Sequence, residues 1–266
     1  MTHRKIIGLA TGLFAASIFG ATVALASGTA GSGPKAHWSY SGADGPAAWG
    51  SLSSAYALCS TGHQQSPINI THPQQAGLAG IKTDYKAGPL SIVNNGHTIQ
   101  VNVAPGSTMS IGHSSYKLLQ FHFHTPSENV VDGKAYPMEV HFVHIDDNGH
   151  LGVLGVFFKK GKENAALGEI WAKMPKSAGK AQTHNDVVVN GRDLLPTNMD
   201  YYRFVGSLTT PPCSEGVQWH VAKTPIEASS EQLSQFNDLI GNNARPVQHM
   251  GHRLLIDSAA GGGSSH

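Results

Sequence analysis

The sequence predicts a mainly β protein: a single domain with a large, mostly antiparallel, twisted central sheet and short peripheral helices. Three observations carry this expectation. Stretches of two-residue alternation, the period of a half-buried strand, recur through the middle of the chain. Apolar residues at helical spacing occur in only two places. No Pro/Gly-rich linker or internal repeat divides Trp38 to Asp257, so one domain accounts for that span. Hydrophobic residues make up 40% of the 266, enough for a substantial core.

Thr98 to Val103 alternates and follows Asn94-Asn95-Gly96, a turn signal. Leu118 to His124 sets Leu118, Gln120, His122 and His124 on one face, with Leu119, Phe121 and Phe123 on the other. In Met138 to Ile145, Glu139, His141 and Val143 share one face, and Val140, Phe142 and His144 the other. Leu151 to Phe158 is a continuous apolar run of strand length. Gly216 to Ala222 aligns Val217, Trp219 and Val221. Helical spacing links Leu167, Ile170, Trp171 and Met174, and Pro175 ends it. Ser229 with Gln232 forms a capping-box signal before Leu233, Phe236 and Ile240, and Gly241 follows.

The N-terminus reads as a secretory signal peptide over residues 1–26. His3, Arg4 and Lys5 are basic, Ile6 to Leu25 carries no charge, and Ala24-Leu25-Ala26 is a cleavage pattern. The apolar run is also long enough for an uncleaved anchor; the cleavage pattern and the many small residues favour removal. Residues 27–36 then form a flexible leader, 37–258 the folded domain and 259–266 a flexible tail. The expected location is periplasmic or secreted, with no stable membrane insertion after cleavage. In an oxidising compartment Cys59 and Cys213 are expected to pair, with two free thiols as the alternative. The net charge of +1 offers no electrostatic footprint for nucleic acid. A homodimer stays open.

Chemistry gathers on two of the predicted strands. Residues i and i+2 of a strand point the same way, so His122 and His124 project two imidazoles from one face. His141, on the neighbouring predicted strand, is the best third ligand for a metal. Three neutral imidazoles leave a fourth tetrahedral position for water, the open arrangement of a catalytic zinc site. Gln120 shares the parity of His122, and Glu139 that of His141. Both are placed to fix the second ring nitrogen of those histidines. The bland alternative for the His122/His124 pair alone is a solvated strand face.

With these residues in place, an ordered series resembles the alpha-class carbonic anhydrases of the bacterial, exported type. It comprises Gln65-Ser66-Pro67-Ile68-Asn69-Ile70, Asn95-Gly96-His97, Gln120-Phe121-His122-Phe123-His124 and Pro126-Ser127-Glu128. Glu139-Val140-His141-Phe142-Val143-His144, Ser207-Leu208-Thr209-Thr210-Pro211-Pro212 and Arg245-Pro246-Val247-Gln248 complete it. The resemblance implies reversible hydration of carbon dioxide to bicarbonate by a zinc-bound hydroxide. His122, His124 and His141 match the Zn2+ ligands. Thr209 matches the residue that accepts the hydroxide proton, and Glu128 the carboxylate that accepts the proton of that threonine. Gln120, Glu139 and the backbone carbonyl of Asn243 match the partners of the three ligands. His97 matches the proton shuttle, with Tyr40, Asn95 and Gln100 along the water path. Val143, Val153, Leu208, Val217 and Trp219 match the apolar wall for carbon dioxide, with Thr210 beside the substrate. Cys59 and Cys213 fall where exported members place a disulfide.

Some positions depart from the pattern. Strict alternation would put His97 opposite to Gln100, so a bulge or the turn must rotate it. Asn129 stands where many members have histidine, and Thr125 where animal members have tryptophan. His63, His72, His113, His144, His150, His184, His220, His249 and His252 are expected to be ordinary surface or core histidines.

A cupin-type iron or manganese oxygenase would use His122, His124 and Glu128 as ligands. Its motif needs glycine where Tyr116 and Ala135 stand. A catalytically silent zinc-binding relative would lack a ligand, and all three histidines and Thr209 are here. Esterase activity would be incidental to a narrow apolar pocket.

Overall fold

The computed structural model describes Met1 and residues 36–258. Apart from Met1 and Ala36, the expected signal peptide and leader, and the tail 259–266, lie outside the described residues. No helix among those described is long and apolar enough to cross a membrane.

A 13-stranded sheet dominates. Its main strands are β1 (Gly88–Asn94), β2 (Ile99–Asn102), β3 (Ser114–His124), β4 (Met138–Ile145), β5 (Leu151–Lys160), β6 (Gln182–Val189), β7 (Tyr201–Ser207) and β8 (Glu215–Ala222). Across the sheet they run β6-β1-β2-β3-β4-β5-β8-β7, and the short strands Ile256–Asp257 and Gln74–Gln75 follow. Most neighbours are antiparallel, as expected, but β5 and β8 pair in parallel at the centre. Two longer helices, α1 (Ala165–Ala172) and α2 (Ser230–Ile240), pack at the periphery. Asn164 caps α1 through Leu167 N–H, and Ser229 and Gln232 form the expected capping box of α2.

Alternation divides the core between the two faces of the sheet. Phe121, Phe123, Val140, Phe142, Leu154 and Phe158 lie in the larger apolar cluster, where Leu167 and Trp171 of α1 and Phe236 of α2 cover them. Val143, Val153, Phe157, Val217, Trp219 and Val221 lie in a second cluster on the opposite face. The sheet thus presents the side chains next to the histidines on one side and a close-packed backing on the other.

One strand differs from expectation. The β3–β4 register pairs Val143 with Gln120 but His144 with Leu118, which leaves Leu119 as the extra residue of a bulge. The bulge inverts parity on its far side. Leu118, expected beside the histidines, is 3% exposed in the larger core, and Leu119, expected in the core, is 43% exposed.

Cys59 and Cys213 form a disulfide 154 residues apart in sequence. It joins the helical segment Leu58–Thr61 to the loop after β7. Two of the histidines without an expected role are deep in the structure. His144 Nε2 meets Tyr85 Oη at 2.7 Å, and His220 packs edge-on to Tyr201. Burial pushes His144 down to about 4 and, with Arg203 and His144 adding repulsion, His220 down to about 3.

Two outcomes follow. The double change Cys59→Ser/Cys213→Ser is expected to lower the unfolding free energy by about 2–5 kcal/mol, read from reversible urea unfolding, because it releases a long closed loop in the unfolded chain. The unfolded chain binds protons at histidine below about pH 6.5 while native His144 and His220 stay neutral, so stability falls as pH drops from there toward 4. His220→Leu is expected to reduce that loss by up to about 3 kcal/mol between pH 7 and 4. Parallel pH profiles for the two proteins would assign the loss to other groups.

Candidate metal centre and cleft

Antiparallel pairing sets His141 of β4 directly across from His122 of β3, and Glu139 across from His124. The three imidazoles therefore converge on one face. Their ring centroids lie 4.6 to 5.5 Å apart, and one nitrogen of each falls within 4.8 Å of the others.

The outer nitrogen of two of the rings is hydrogen-bonded, and that of the third faces a carboxylate. His122 Nδ1 donates to Gln120 Oε1 at 2.8 Å, and His124 Nδ1 to the Asn243 carbonyl at 2.8 Å. These acceptors have no proton to give, so the N–H must sit on Nδ1 and the lone pair on Nε2. His141 Nε2 lies 3.1 Å from Glu139 Oε1, which leaves its Nδ1 on the shared side. All three partners expected from the sequence are in contact, and Asn243 acts through its backbone.

Electrostatics fit a cation at this point. Burial, then mutual repulsion, holds His122 and His141 well below the ordinary imidazole range. Burial brings His124 to about 4 despite the Asn243 carbonyl and Glu139. Neutral imidazoles are the ligating form. His124 Nε2 is buried with no hydrogen-bond partner, an orphan that a metal would satisfy. Two buried carboxylates flank the triad. Burial raises Glu128 to about 8, against the Thr209 hydroxyl and the Arg245 N–H, which lower it. Burial raises Glu139 to about 7, against two hydrogen bonds from Asn129. A cation nearby lowers both. Among the described residues the metal-ligand cluster is these three histidines, with Glu128 Oε2 3.4 Å from His124 Nε2, and three nitrogen donors without a sulfur are the donor set of an open zinc site.

Two of the three histidines open into a cleft of about 140 Å³ lined by Trp38, Tyr40, Asn95, His97, Thr98, Gln100, Gln120, His122, His124 and Thr210. A groove of about 600 Å³ near Lys82, Arg192 and Met199 is larger, but no metal-ligand cluster lies in it. Converging chemistry rather than volume marks the site. His97 lies before β2, in a turn where Gly96 has φ +88°, and so escapes strand alternation. Asn95 Oδ1 accepts the N–H of both His97 and Thr98 and so holds the turn itself. The His97 ring stacks on Trp38 with centroids 3.7 Å apart. Gln100 Nε2 bonds to Asn102.

Behind the triad stands the second apolar cluster. Val143, Val153, Val217 and Trp219 are buried in it and Leu208 packs against it, so the five expected wall residues belong to one cluster, but none of them lines the cleft itself. Trp219 meets the His141 ring edge-on at 4.9 Å.

Three contributors were absent from the sequence-based set. Asn129 donates its N–H and Nδ2 to the two oxygens of Glu139, each at 2.9 Å, and its Oδ1 accepts from Ile68 N–H. Its only signal was a departure from the family pattern. Arg245 donates its N–H to Glu128 at 2.8 Å, and its guanidinium holds Gln65, Ser66 and the Cys59 carbonyl. It stood in a recognised motif without a role. Trp38 carried no signal.

The eukaryotic-type carbonic anhydrase family model matches residues 44–259. A carbonic anhydrase of Neisseria gonorrhoeae is 46% identical over 227 residues, 85% of this chain and 89% of that protein. One from Pectobacterium carotovorum is 45% identical over 222 residues, covering 83% and 90%. Among solved structures, the alpha-carbonic anhydrase of Thermovibrio ammonificans, in complex with the inhibitor sulfanilamide, superposes with a TM-score of 0.81. It is 48% identical and covers 83% of this chain and 99% of that one. The chain belongs to the alpha-carbonic-anhydrase family, enzymes that act on carbon dioxide and bicarbonate.

Proposed function

We propose that the protein is an exported, zinc-dependent enzyme that hydrates carbon dioxide to bicarbonate and a proton, reversibly. The observation that carries this reading is the set of three neutral imidazoles, with one nitrogen of each within 4.8 Å of the others, between a polar cleft and a buried apolar cluster. His122, His124 and His141 would hold Zn2+. Bound there, zinc supplies hydroxide at neutral pH by lowering the pKa of water to about 7, a shift for which carbonic anhydrase is itself the reference case.

The chain's own groups then divide the work. Thr209 directs its hydroxyl proton to Glu128, so Thr209 Oγ1 remains an acceptor for the attacking oxygen. That hydrogen bond turns a lone pair toward the carbon of the substrate. Glu128 serves as this acceptor when ionised, and the Arg245 N–H and its neighbouring charge favour that form. Val143, Val153, Leu208, Val217 and Trp219 receive carbon dioxide, which is apolar and needs proximity rather than strong binding. Thr210 contacts the bicarbonate end. The released proton crosses the polar side, past Tyr40, Asn95 and Gln100, to His97 and then to buffer. The stacking of His97 on Trp38 at the cleft wall suits a ring that must face both the site and solvent.

Export to the periplasm or beyond follows from the expected signal peptide, and the disulfide fits an oxidising compartment.

His141→Ala is expected to abolish tight zinc binding and carbon dioxide hydration together, read by metal analysis and stopped-flow. Full activity in that variant would discard the ligand set. Thr209→Ala is expected to keep its zinc and lose about 100-fold in kcat/KM, since it removes orientation and not the metal. Loss of zinc in Thr209→Ala would give that residue a structural role instead.

A further inference from the structure

The turn that carries His97 is attached to β3 in an unusual way. Regular pairing of β2 with β3 ends on the rung between Gln100 and His122. Two residues before Gln100, the backbone of Thr98 closes its own turn: its N–H goes to Asn95 Oδ1 at 3.0 Å, and its carbonyl accepts Asn95 N–H at 3.2 Å. The side chain takes over the pairing. Thr98 Oγ1 donates to the Phe123 carbonyl at 2.6 Å and accepts the Phe123 N–H at 3.3 Å. One hydroxyl thus stands in for a backbone donor and acceptor, in a residue 6% exposed.

Phe123 lies between His122 and His124. A second tie reinforces the joint, because Asn243 Nδ2 donates both to the His97 carbonyl at 3.0 Å and to the Phe123 carbonyl at 2.9 Å. Asn243 presents its own carbonyl to His124. The His97 turn is therefore fastened to the backbone of the one residue that joins two of the three site histidines.

We propose that Thr98 is a positioning residue for proton transfer: its hydroxyl locks the His97 turn to the strand that bears His122 and His124, and so fixes the span the proton must cross. This rests on the reading of His97 as proton acceptor and extends it to the device that places it. Valine has nearly the shape of threonine and lacks the hydroxyl. It would leave the buried Phe123 N–H without its partner and loosen the turn.

The test is steady-state carbon dioxide hydration by the zinc-loaded protein in weak and strong buffer. Proton release follows departure of bicarbonate, so it enters kcat and not kcat/KM. Thr98→Val is expected to lower kcat in weak buffer by about fivefold, the factor that one lost hydrogen bond supports. Its kcat/KM and zinc content are expected to stay at the wild-type level, and added imidazole to restore kcat. Thr98→Ser, which keeps the hydroxyl, is expected to behave as wild type. In a His97→Ala background, Thr98→Val is expected to change nothing further. Wild-type buffer dependence in Thr98→Val, equal losses in kcat and kcat/KM, or an added loss on top of His97→Ala would each overturn the proposal. If His97→Ala alone keeps full kcat in weak buffer, the shuttle reading fails and this one fails with it. Should Thr98→Val not fold, Thr98→Ala provides the same comparison.

Discussion

The rung that pairs His122 with His141 is the constraint on which the site depends. Side chains alternate along a strand with a period of two, so a slip of one residue in β3 against β4 would send the imidazoles of the two strands to opposite faces. The register is held by what lies on the other face. Phe121, Phe123, Val140 and Phe142 can be buried under α1 and α2 only in the register that brings the histidines together. The bulge at Leu119 shows how local this control is. Pairing is regular from Gln120 to His124, where ligand geometry demands it, and is broken just beyond, where only burial of Tyr116 and Leu118 is at stake.

Register alone would leave several charged or ionisable groups in a low-dielectric interior. Breaking a buried pair costs far more than the pair contributes, so each such group needs partners on every side. Shells of fixed dipoles supply most of these partners, while Glu128 Oε2 and the Nε2 atoms of His124 and His141 have no hydrogen bond. Glu139 takes two donors from Asn129, and the Asn129 amide cannot flip because Ile68 N–H holds its oxygen. Glu128 takes the Arg245 N–H, while the Arg245 guanidinium is itself satisfied by Gln65, Ser66 and the Cys59 carbonyl and lies over Trp49. The disulfide enters the same shell, since Cys213 N–H bonds to the Thr210 carbonyl. Residues far apart in sequence thus set the orientation of a few atoms at the cleft floor.

Period-two arguments reached much of this from the sequence. Two strands, a shared face and the pairs Gln120–His122 and Glu139–His141 all follow from alternation, and family resemblance supplied Thr209, Glu128 and the backbone of Asn243. What stayed hidden had no local signature. Leu119 alternates as well as any residue in β3, and only pairing with β4 reveals the bulge. Asn129 and Arg245 act through partners about 10 to 180 residues away, so their spacing carries no pattern. Trp38 earns its place by stacking across the cleft on His97, a contact between segments with no shared periodicity.

The cleft separates two demands that would conflict on one surface. Carbon dioxide gains from an apolar neighbour, whereas a proton needs polar groups at hydrogen-bond spacing. Along β4 His141 and Val143 share a face, and Trp219 reaches from β8 to the His141 ring, so the second apolar cluster is built by the strands on one flank of the triad. The opposite flank, β2 and the turn before it, contributes Asn95, His97, Thr98 and Gln100. On the function proposed above, strand order would place the substrate on the β5–β8 side and the proton on the β2 side, with the three histidines on β3 and β4 between them. A sheet does this more simply than a loop-built site. Each flank keeps its polarity through its own alternation, and the distance between flanks is set by strand spacing rather than by side-chain choice.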